Sequence, residues 1–284
     1  MPTWLLLSLV SVVASTFSNV WQKKASDTGV HFAAISFFFQ VVCGLLVLAV
    51  ALVYGFSFPP IQKMPWEFLI MSIGYAGGTV FLFLALQTIT ASQATIYKAF
   101  ATLCTALLAF AFLAEKLTLV NTAGMVLVLV AIIVATYTKG AFSISKGTGY
   151  ALLSSALYAC AIVADGLILH TFPDVLSYIV FAFIFPGILI ALVFPKQMLE
   201  VPKLFTARTL PTMMVLAAAY AVAAVTFYFA FISDGLLSQI ATISRSNIIL
   251  TVIVAALFLG EREHVGKTVL AAAITILGVV LISQ

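Results

Sequence analysis

A stretch of thirty-five residues occurs twice in this chain and constrains its fold more than any other feature. Phe81 to Glu115 aligns without a gap with Phe227 to Glu261, at a constant offset of 146 residues. Nine of the thirty-five positions are identical, among them the Ser-Gln pairs that begin at Ser92 and Ser238. The duplication predicts two structurally equivalent units in one chain.

The composition places these units in a membrane. Hydrophobic residues make up 64% of the chain and charged residues only 8%, whereas soluble domains are about half apolar and about a quarter charged. This excludes a soluble globular fold. The net charge of +4 comes from residues spread over short loops, so no clustered basic face predicts a nucleic-acid partner.

Apolar runs long enough to span a bilayer, which takes about 20 residues, recur along the whole chain. They predict an all-α integral membrane protein with ten transmembrane helices. The predicted spans are 3–22, 31–54, 66–88, 92–114, 118–138, 147–169, 175–195, 209–233, 236–259 and 265–283.

The offset of 146 also holds outside the opening stretch, since Leu6 to Ser8 match Leu152 to Ser154 and Asn19 falls on Asp165. We therefore predict two five-helix units, residues 1–140 and 146–284. Because five is odd, two units with the same internal fold must cross the membrane in opposite directions. This predicts inverted repeats, an arrangement of many secondary transporters that work by alternating access.

Two motifs that end the repeated stretch carry a resemblance to a known family. Phe112 to Lys116 reads Phe-Leu-Ala-Glu-Lys, and Phe258 to Arg262 reads Phe-Leu-Gly-Glu-Arg. With Asn19 to Lys24, they resemble the drug/metabolite transporter (DMT) superfamily, specifically its EamA-type ten-helix members. The resemblance implies a basket in which helices 1, 3, 4, 6, 8 and 9 line a central cavity and helices 5 and 10 lie at the periphery.

Three ionisable residues within the predicted spans are the leading candidates for a substrate site, because charges inside a membrane are costly. Lys98 lies about 10 Å from the side reached by the first loop, called side A here, and Arg245 lies about 13 Å from the opposite side B. Asp165 lies about 7 Å from side B, within reach of Arg245. An Arg245–Asp165 ion pair would leave Lys98 without an opposite charge at its own depth.

Four alternatives for Lys98 remain open from the sequence. They are a water-filled cavity, a neutral amine, an anionic ligand and a side chain that extends to the side A interface. Polar and aromatic residues on the expected cavity helices complete the predicted substrate-binding set. These are Asn19, Tyr97, Gln87, Tyr75 and Tyr228.

The sequence gives little support to an enzymatic function. His31, His170 and His264 share no metal-like spacing, and the chain has no HExxH, GxSxG or phosphate-binding glycine loop. We predict no catalytic residue, metal or cofactor. The cysteines Cys43, Cys104 and Cys160 are interpreted as small packing residues.

The function predicted from these features is secondary transport of a small metabolite that bears an anionic group, such as an amino acid or an organic anion. One alternative is export of hydrophobic cations or drugs, which would require Asp165 to be free of Arg245. An alternative of another class is a non-transporting membrane scaffold. The predicted partners are a small-molecule substrate and the lipid bilayer. Coupling to protons or to an exchanged solute, and a monomeric or homodimeric state, stay open.

The expected location is the plasma (inner) membrane, and two arguments disagree about orientation. Side A loops carry nine Lys or Arg residues and side B loops carry two. The positive-inside rule therefore puts side A in the cytoplasm and both termini outside. The family resemblance implies that both termini are cytoplasmic.

Overall fold

The computed structural model describes residues 3–112, 118–138, 141–142, 145–233, 243–244, 246–261 and 265–282. Its helices are α1 (Thr3–Ser26), α2 (Phe32–Tyr54), α3 (Pro65–Leu86), α4 (Ala91–Lys98), α5 (Phe100–Phe112), α6 (Leu119–Thr136), α7 (Lys146–Thr171), α8 (Val175–Val193), α9 (Leu210–Ile232), α10 (Asn247–Phe258) and α11 (Val265–Ile282). The 3-10 helices are Ile61–Lys63 and Gln197–Phe205. Two strands of two residues each, β1 (Tyr137–Thr138) and β2 (Ala141–Phe142), form an antiparallel pair in the connection between α6 and α7.

The helical membrane fold is confirmed, and part of the predicted span pattern is recovered. Helices α1, α2, α3, α7, α8 and α9 are long and apolar enough to cross a membrane. The shorter apolar helices α6 and α11 match the predicted fifth and tenth spans, and α10 covers the second half of the predicted ninth span. The described residues therefore give a multi-pass helical protein, and the count of ten spans stays a prediction.

The predicted fourth span differs from a single straight helix. It consists of α4 and α5, which meet at Ala99, whose backbone N–H donates to the carbonyls of Ile96 and Tyr97. This tightening from the α to the 3-10 pattern follows directly on Lys98. The second unit has the same feature, because Ser246, the residue just before α10, donates its N–H to the carbonyl of Ile243 over 3.0 Å.

Helix packing follows the duplication. The most extensive helix pairs are α3 with α7, α1 with α9, α6 with α11 and α2 with α8. Shifting each helix by 146 residues converts the α1–α9 pair into the α3–α7 pair and converts each of the other two pairs into itself. The α2–α8 pair is antiparallel, because Gly44 lies against Ile184 while Gly187, further along α8, lies against Val41.

Loop contacts separate the two ends of the bundle. At one end the backbone N–H of His31 donates to Glu200 over 3.0 Å, which joins the loops after α1 and α8. At the other end the backbone N–H of Ser57 donates to Ser177 Oγ over 2.9 Å, which joins the loop after α2 to the start of α8. The first end corresponds to predicted side A and the second to side B.

Small residues allow α3 and α7 to touch along their backbones. A Cβ atom built on Gly74 would lie 2.7 Å from the carbonyl oxygen of Leu157, and Ser154 Oγ donates to the carbonyl of Gly78 over 2.6 Å. Close approach through small residues is a common basis of helix association in membranes. Here it brings the polar residues of α3 against those of α7.

Candidate functional site

Asp165 on α7 is the centre of a buried polar cluster on the side B half of the bundle. Its side chain is only 6% exposed. The hydroxyl of Tyr75 on α3 donates to Oδ2, and the hydroxyl of Tyr178 on α8 donates to Oδ1. Both carboxylate oxygens are therefore hydrogen-bonded by neutral donors, and no cation pairs with Asp165 among the described residues.

Asp165 also borders a cavity of about 90 Å³ between α2, α3, α7, α8 and α9. Aromatic rings supply most of its wall. They are Phe39, Tyr75, Tyr158, Tyr178, Phe183, Tyr220 and Tyr228. A carboxylate among aromatic faces is an attractive environment for a cation, because the ring quadrupoles are negative above their faces.

A second polar group on the cavity wall lies between α2 and α3. Gln40 Nε2 donates to Thr79 Oγ1 over 2.7 Å, and Thr79 Oγ1 lies 3.0 Å from the hydroxyl of Tyr158. Gln40 is 2% exposed. Its Oε1 atom has no hydrogen-bond partner among the described residues.

Lys98 forms a separate polar cluster with α1 and α10. Its Nζ donates to Asn19 Oδ1 and to Gln22 Oε1, each over 2.9 Å. Asn19 Nδ2 in turn donates to Thr251 Oγ1 over 3.2 Å. Neutral amide oxygens thus accept hydrogen bonds from the half-buried Lys98 amine, a contact that none of the four alternatives weighed from the sequence included.

The two clusters lie at different depths. Ser155 Oγ on α7 donates to the carbonyl of Tyr97 over 3.0 Å, which places Ser155 level with Lys98. Asp165 lies ten residues further along α7, about 15 Å away at the helical rise of 1.5 Å per residue. A single amino acid cannot contact Lys98 and Asp165 at once in this structure.

The structure brings the predicted site residues together in two groups. Tyr75 and Tyr228 line the cavity beside Asp165, and Asn19 binds Lys98. Tyr97 is buried next to Lys98 in the chain, whereas Gln87 is exposed at the C-terminal end of α3. Arg245 and its expected pairing with Asp165 lie outside the described residues.

Sequence reasoning missed Tyr178 and Thr251. The family resemblance left the seventh span out of the cavity, yet α8 contributes Tyr178 and Phe183 to its wall. The position of Tyr178 offered a weak signal, since it is the only tyrosine in a helix that is apolar apart from Ser177. Thr251 is the repeat equivalent of Thr105, but nothing in the pattern indicated its contact with Asn19.

Glu261 closes side A above the Lys98 cluster. Its Oε1 accepts the backbone N–H of Ala91 over 2.7 Å, and its Oε2 accepts the backbone N–H and the hydroxyl of Ser92, over 3.2 and 2.8 Å. These bonds satisfy free donors at the N-terminus of α4, where a negative charge is favourable. A carboxylate of the second unit therefore ties down the first turn of α4 in the first unit.

Comparison with known proteins adds family and fold information. Residues 2–137 match the model of the EamA-like transporter family, which belongs to the DMT superfamily. No curated protein matches the sequence. A crystal structure with 17% sequence identity superposes with a TM-score of 0.66, over 97% of this chain and 94% of the other. At that identity the likeness concerns the fold alone.

Proposed function

We propose that the protein is a secondary transporter whose substrate site is the Asp165 cavity, since residues 2–137 match the model of the EamA-like transporter family. The family match supports a membrane transporter of the DMT type. The buried polar cavity inside an apolar bundle supports the choice of site, because such cavities mark substrate pathways in membrane proteins. The proposed partners are a small molecule and the lipid bilayer.

The proposed substrate is a small molecule that carries an ammonium group and an apolar part. One observation carries this proposal: among the described residues, the cavity wall combines one carboxylate with seven aromatic rings and no lysine or arginine. A buried carboxylate is costly until a counter-charge arrives. An ammonium group would supply that charge, and the rings of Tyr75, Tyr158 and Tyr228 would contact its apolar part.

A second candidate function is transport of an anion, as the intramembrane cations first indicated. The ammonium of Lys98 is stabilised by two neutral amides, and no carboxylate pairs with it among the described residues. An anionic substrate would then take Lys98, and Arg245 as proposed from the sequence, as its counter-charges. Asn19 and Tyr97 belong to this second proposed site, and Gln87 stays a candidate at its side A end.

The proposed mechanism is alternating access between two inverted units, residues 1–140 and 146–284, with ten transmembrane helices. Support comes from the repeat offset, from helix pairs that exchange under it, and from the antiparallel α2–α8 contact. Related units that pack across a common interface can rock against each other around a central site. Coupling to protons or to an exchanged solute is an open part of this proposal.

Counterflow in proteoliposomes tests the two substrate classes against each other. Amines and organic acids would be screened with the wild-type protein and with Asp165→Asn, Lys98→Met and the surface control Asp27→Asn, since Asp27 is exposed. Loss of amine counterflow in Asp165→Asn alone is the expected result. Loss of acid counterflow in Lys98→Met alone would favour the anion candidate. Equal activity in all variants would refute both site assignments, and no counterflow of any compound would favour the scaffold hypothesis.

A further inference from the structure

Gln40 lines the same cavity as Asp165, and its Oε1 atom is buried without a hydrogen-bond partner among the described residues. Few buried polar atoms lack a partner in the described chain; they are Ser18 Oγ, Gln40 Oε1, Thr105 Oγ1 and Ser244 Oγ. Gln40 is the one among them that lines the cavity. An unsatisfied buried acceptor is destabilising, so a binding partner that supplies a hydrogen would relieve it.

We propose that Gln40 Oε1 accepts a hydrogen bond from the substrate and selects ammonium groups that carry N–H bonds over quaternary ones. This inference rests on the proposed ammonium site. The Thr79 hydroxyl fixes the amide by accepting from Nε2 over 2.7 Å, which leaves Oε1 as the acceptor. A trimethylated cation has no N–H to donate, so it would leave Oε1 without a hydrogen bond, while the Asp165 carboxylate would still attract its positive charge.

Binding of phenethylammonium and of its trimethylammonium analogue to the purified protein tests this inference. The wild-type protein should prefer phenethylammonium about tenfold, which corresponds to one hydrogen bond of about 1.4 kcal/mol. Gln40→Leu should lose this preference, and Gln40→Glu, which retains an acceptor, should keep it.

An unchanged preference in Gln40→Leu would overturn the role of Gln40. If that result came with binding that still requires Asp165, the proposed ammonium site would stand while the selectivity inference fails. If neither compound bound the wild-type protein, the ammonium site itself would be refuted, and the role of Gln40 with it.

A different observation concerns the repeat positions of two other polar groups. Asn19 and Asp165 are equivalent, and so are Thr251 and Thr105. Asn19 binds Thr251 over 3.2 Å, whereas Asp165 binds tyrosines and the buried Thr105 hydroxyl has no partner among the described residues. One of two equivalent contacts is therefore formed and the other is broken.

Thr105 lies close to the depth of Asp165. The starts of α4 and α7 share one end of the bundle, because a Cβ built on Gly147 would meet the Thr88 hydroxyl, so the two helices run in parallel. Tyr97 is level with Ser155, which puts Thr105 level with position 163, about 3 Å along the axis from Asp165. Helices α5 and α7 pack against each other.

We infer that Thr105 is the second hydrogen-bond position of Asp165, occupied when side B closes and the Asn19–Thr251 contact on side A opens. In inverted repeats, exchange of the conformations of the two units produces the opposite-facing state. This inference rests on the proposed alternating-access mechanism. Its readout is the conformational equilibrium and does not require a known substrate.

Thiol labelling of Ala91→Cys reports the opening of side A, because Ala91 is 1% exposed beneath Glu261. The background would have Cys43, Cys104 and Cys160 replaced by alanine. Thr251→Val removes the side A contact and should raise the labelling rate about tenfold. Thr105→Val should lower it about tenfold, each change being that expected from one hydrogen bond, while Thr105→Ser keeps the hydroxyl and should label like the parent.

The opposite signs distinguish a conformational role from simple loss of stability. Faster labelling in both valine variants would show general loosening and overturn the inference. An unchanged rate in Thr105→Val, in a protein that elutes as a single folded species on gel filtration, would also overturn it.

Discussion

Gly74→Ala is the substitution for which the structure predicts the sharpest effect on both packing and site. The new Cβ would lie 2.7 Å from the carbonyl oxygen of Leu157 and 2.8 Å from Ala161 Cβ, whereas ordinary contact begins at 3.4 Å. Because a carbonyl in the α7 backbone cannot rotate away, α3 and α7 must separate by about 0.7 Å. Overpacking of this kind costs about 1–3 kcal/mol.

Part of this cost is offset because alanine is the better helix former, by about 1 kcal/mol in a helix interior. The separation also strains the hydrogen bond from Tyr75, the next residue, to Asp165, and a bond to a charged group contributes about 1.5–3 kcal/mol. We expect a net loss of about 2 kcal/mol in the free energy of unfolding, together with weaker ligand binding in the cavity.

Thermal unfolding of the purified protein in detergent would measure this change. Gly149→Ala on α7 is the matched control, because nothing lies within 4 Å of its added Cβ, and its melting temperature should equal or exceed that of the wild type. Adding Ala161→Gly to Gly74→Ala removes one of the two clashes and should recover part of the loss. A Gly74→Ala protein that melts at or above the wild-type temperature would refute the packing argument.

Three further predictions concern the ends of the bundle. Glu261→Ala should lower the free energy of unfolding by about 1–3 kcal/mol, because it leaves the donors of Ala91 and Ser92 unsatisfied. Ser92→Ala loses one of these bonds and should cost less. Equal melting temperatures for Glu261→Ala and the wild type would argue against a stabilising role of Glu261. An impermeant thiol reagent on intact cells tests the orientation, in the background without native cysteines. Gln62→Cys on side B should react and Thr206→Cys on side A should not, because the excess of cations on side A predicts that this side is cytoplasmic. The reverse pattern would favour the orientation implied by the family. The backbone N–H of His31 holds the pKa of Glu200 below its usual 4.5. The contribution of the Glu200 carboxylate to stability is therefore complete above pH 4.5 and is lost as the pH falls further. Glu200→Gln should reduce the fall in melting temperature between pH 6 and pH 4, and an identical fall in both proteins would contradict this.

The sequence alone determined the class of the protein and its internal symmetry. Composition and run length required membrane helices, since 64% apolar residues cannot be covered in water. The offset of 146 residues linked equivalent positions such as Asn19 and Asp165. The same pattern singled out Lys98 and Asp165, because charged residues are rare within apolar runs and need no tertiary information to be noticed.

The tertiary structure alone decided what surrounds those charges. Hydropathy gives the depth of a residue but not the rotation of its helix, so it could not show that Lys98 turns to the amides of Asn19 and Gln22. The local change from α to 3-10 geometry after Lys98 was likewise invisible, because no glycine or proline marks it.

The cavity wall was the part furthest from prediction. Tyr178 reaches Asp165 because α8 packs against α3, which itself packs against α7, and that neighbourhood depends on which small residues meet across the helices. Gly74 and Gly78 have a spacing that is typical of close helix packing, but their partners Leu157 and Tyr158 became known only from the fold. Contacts between distant segments depend on helix rotation and crossing, and one sequence read along its length contains neither.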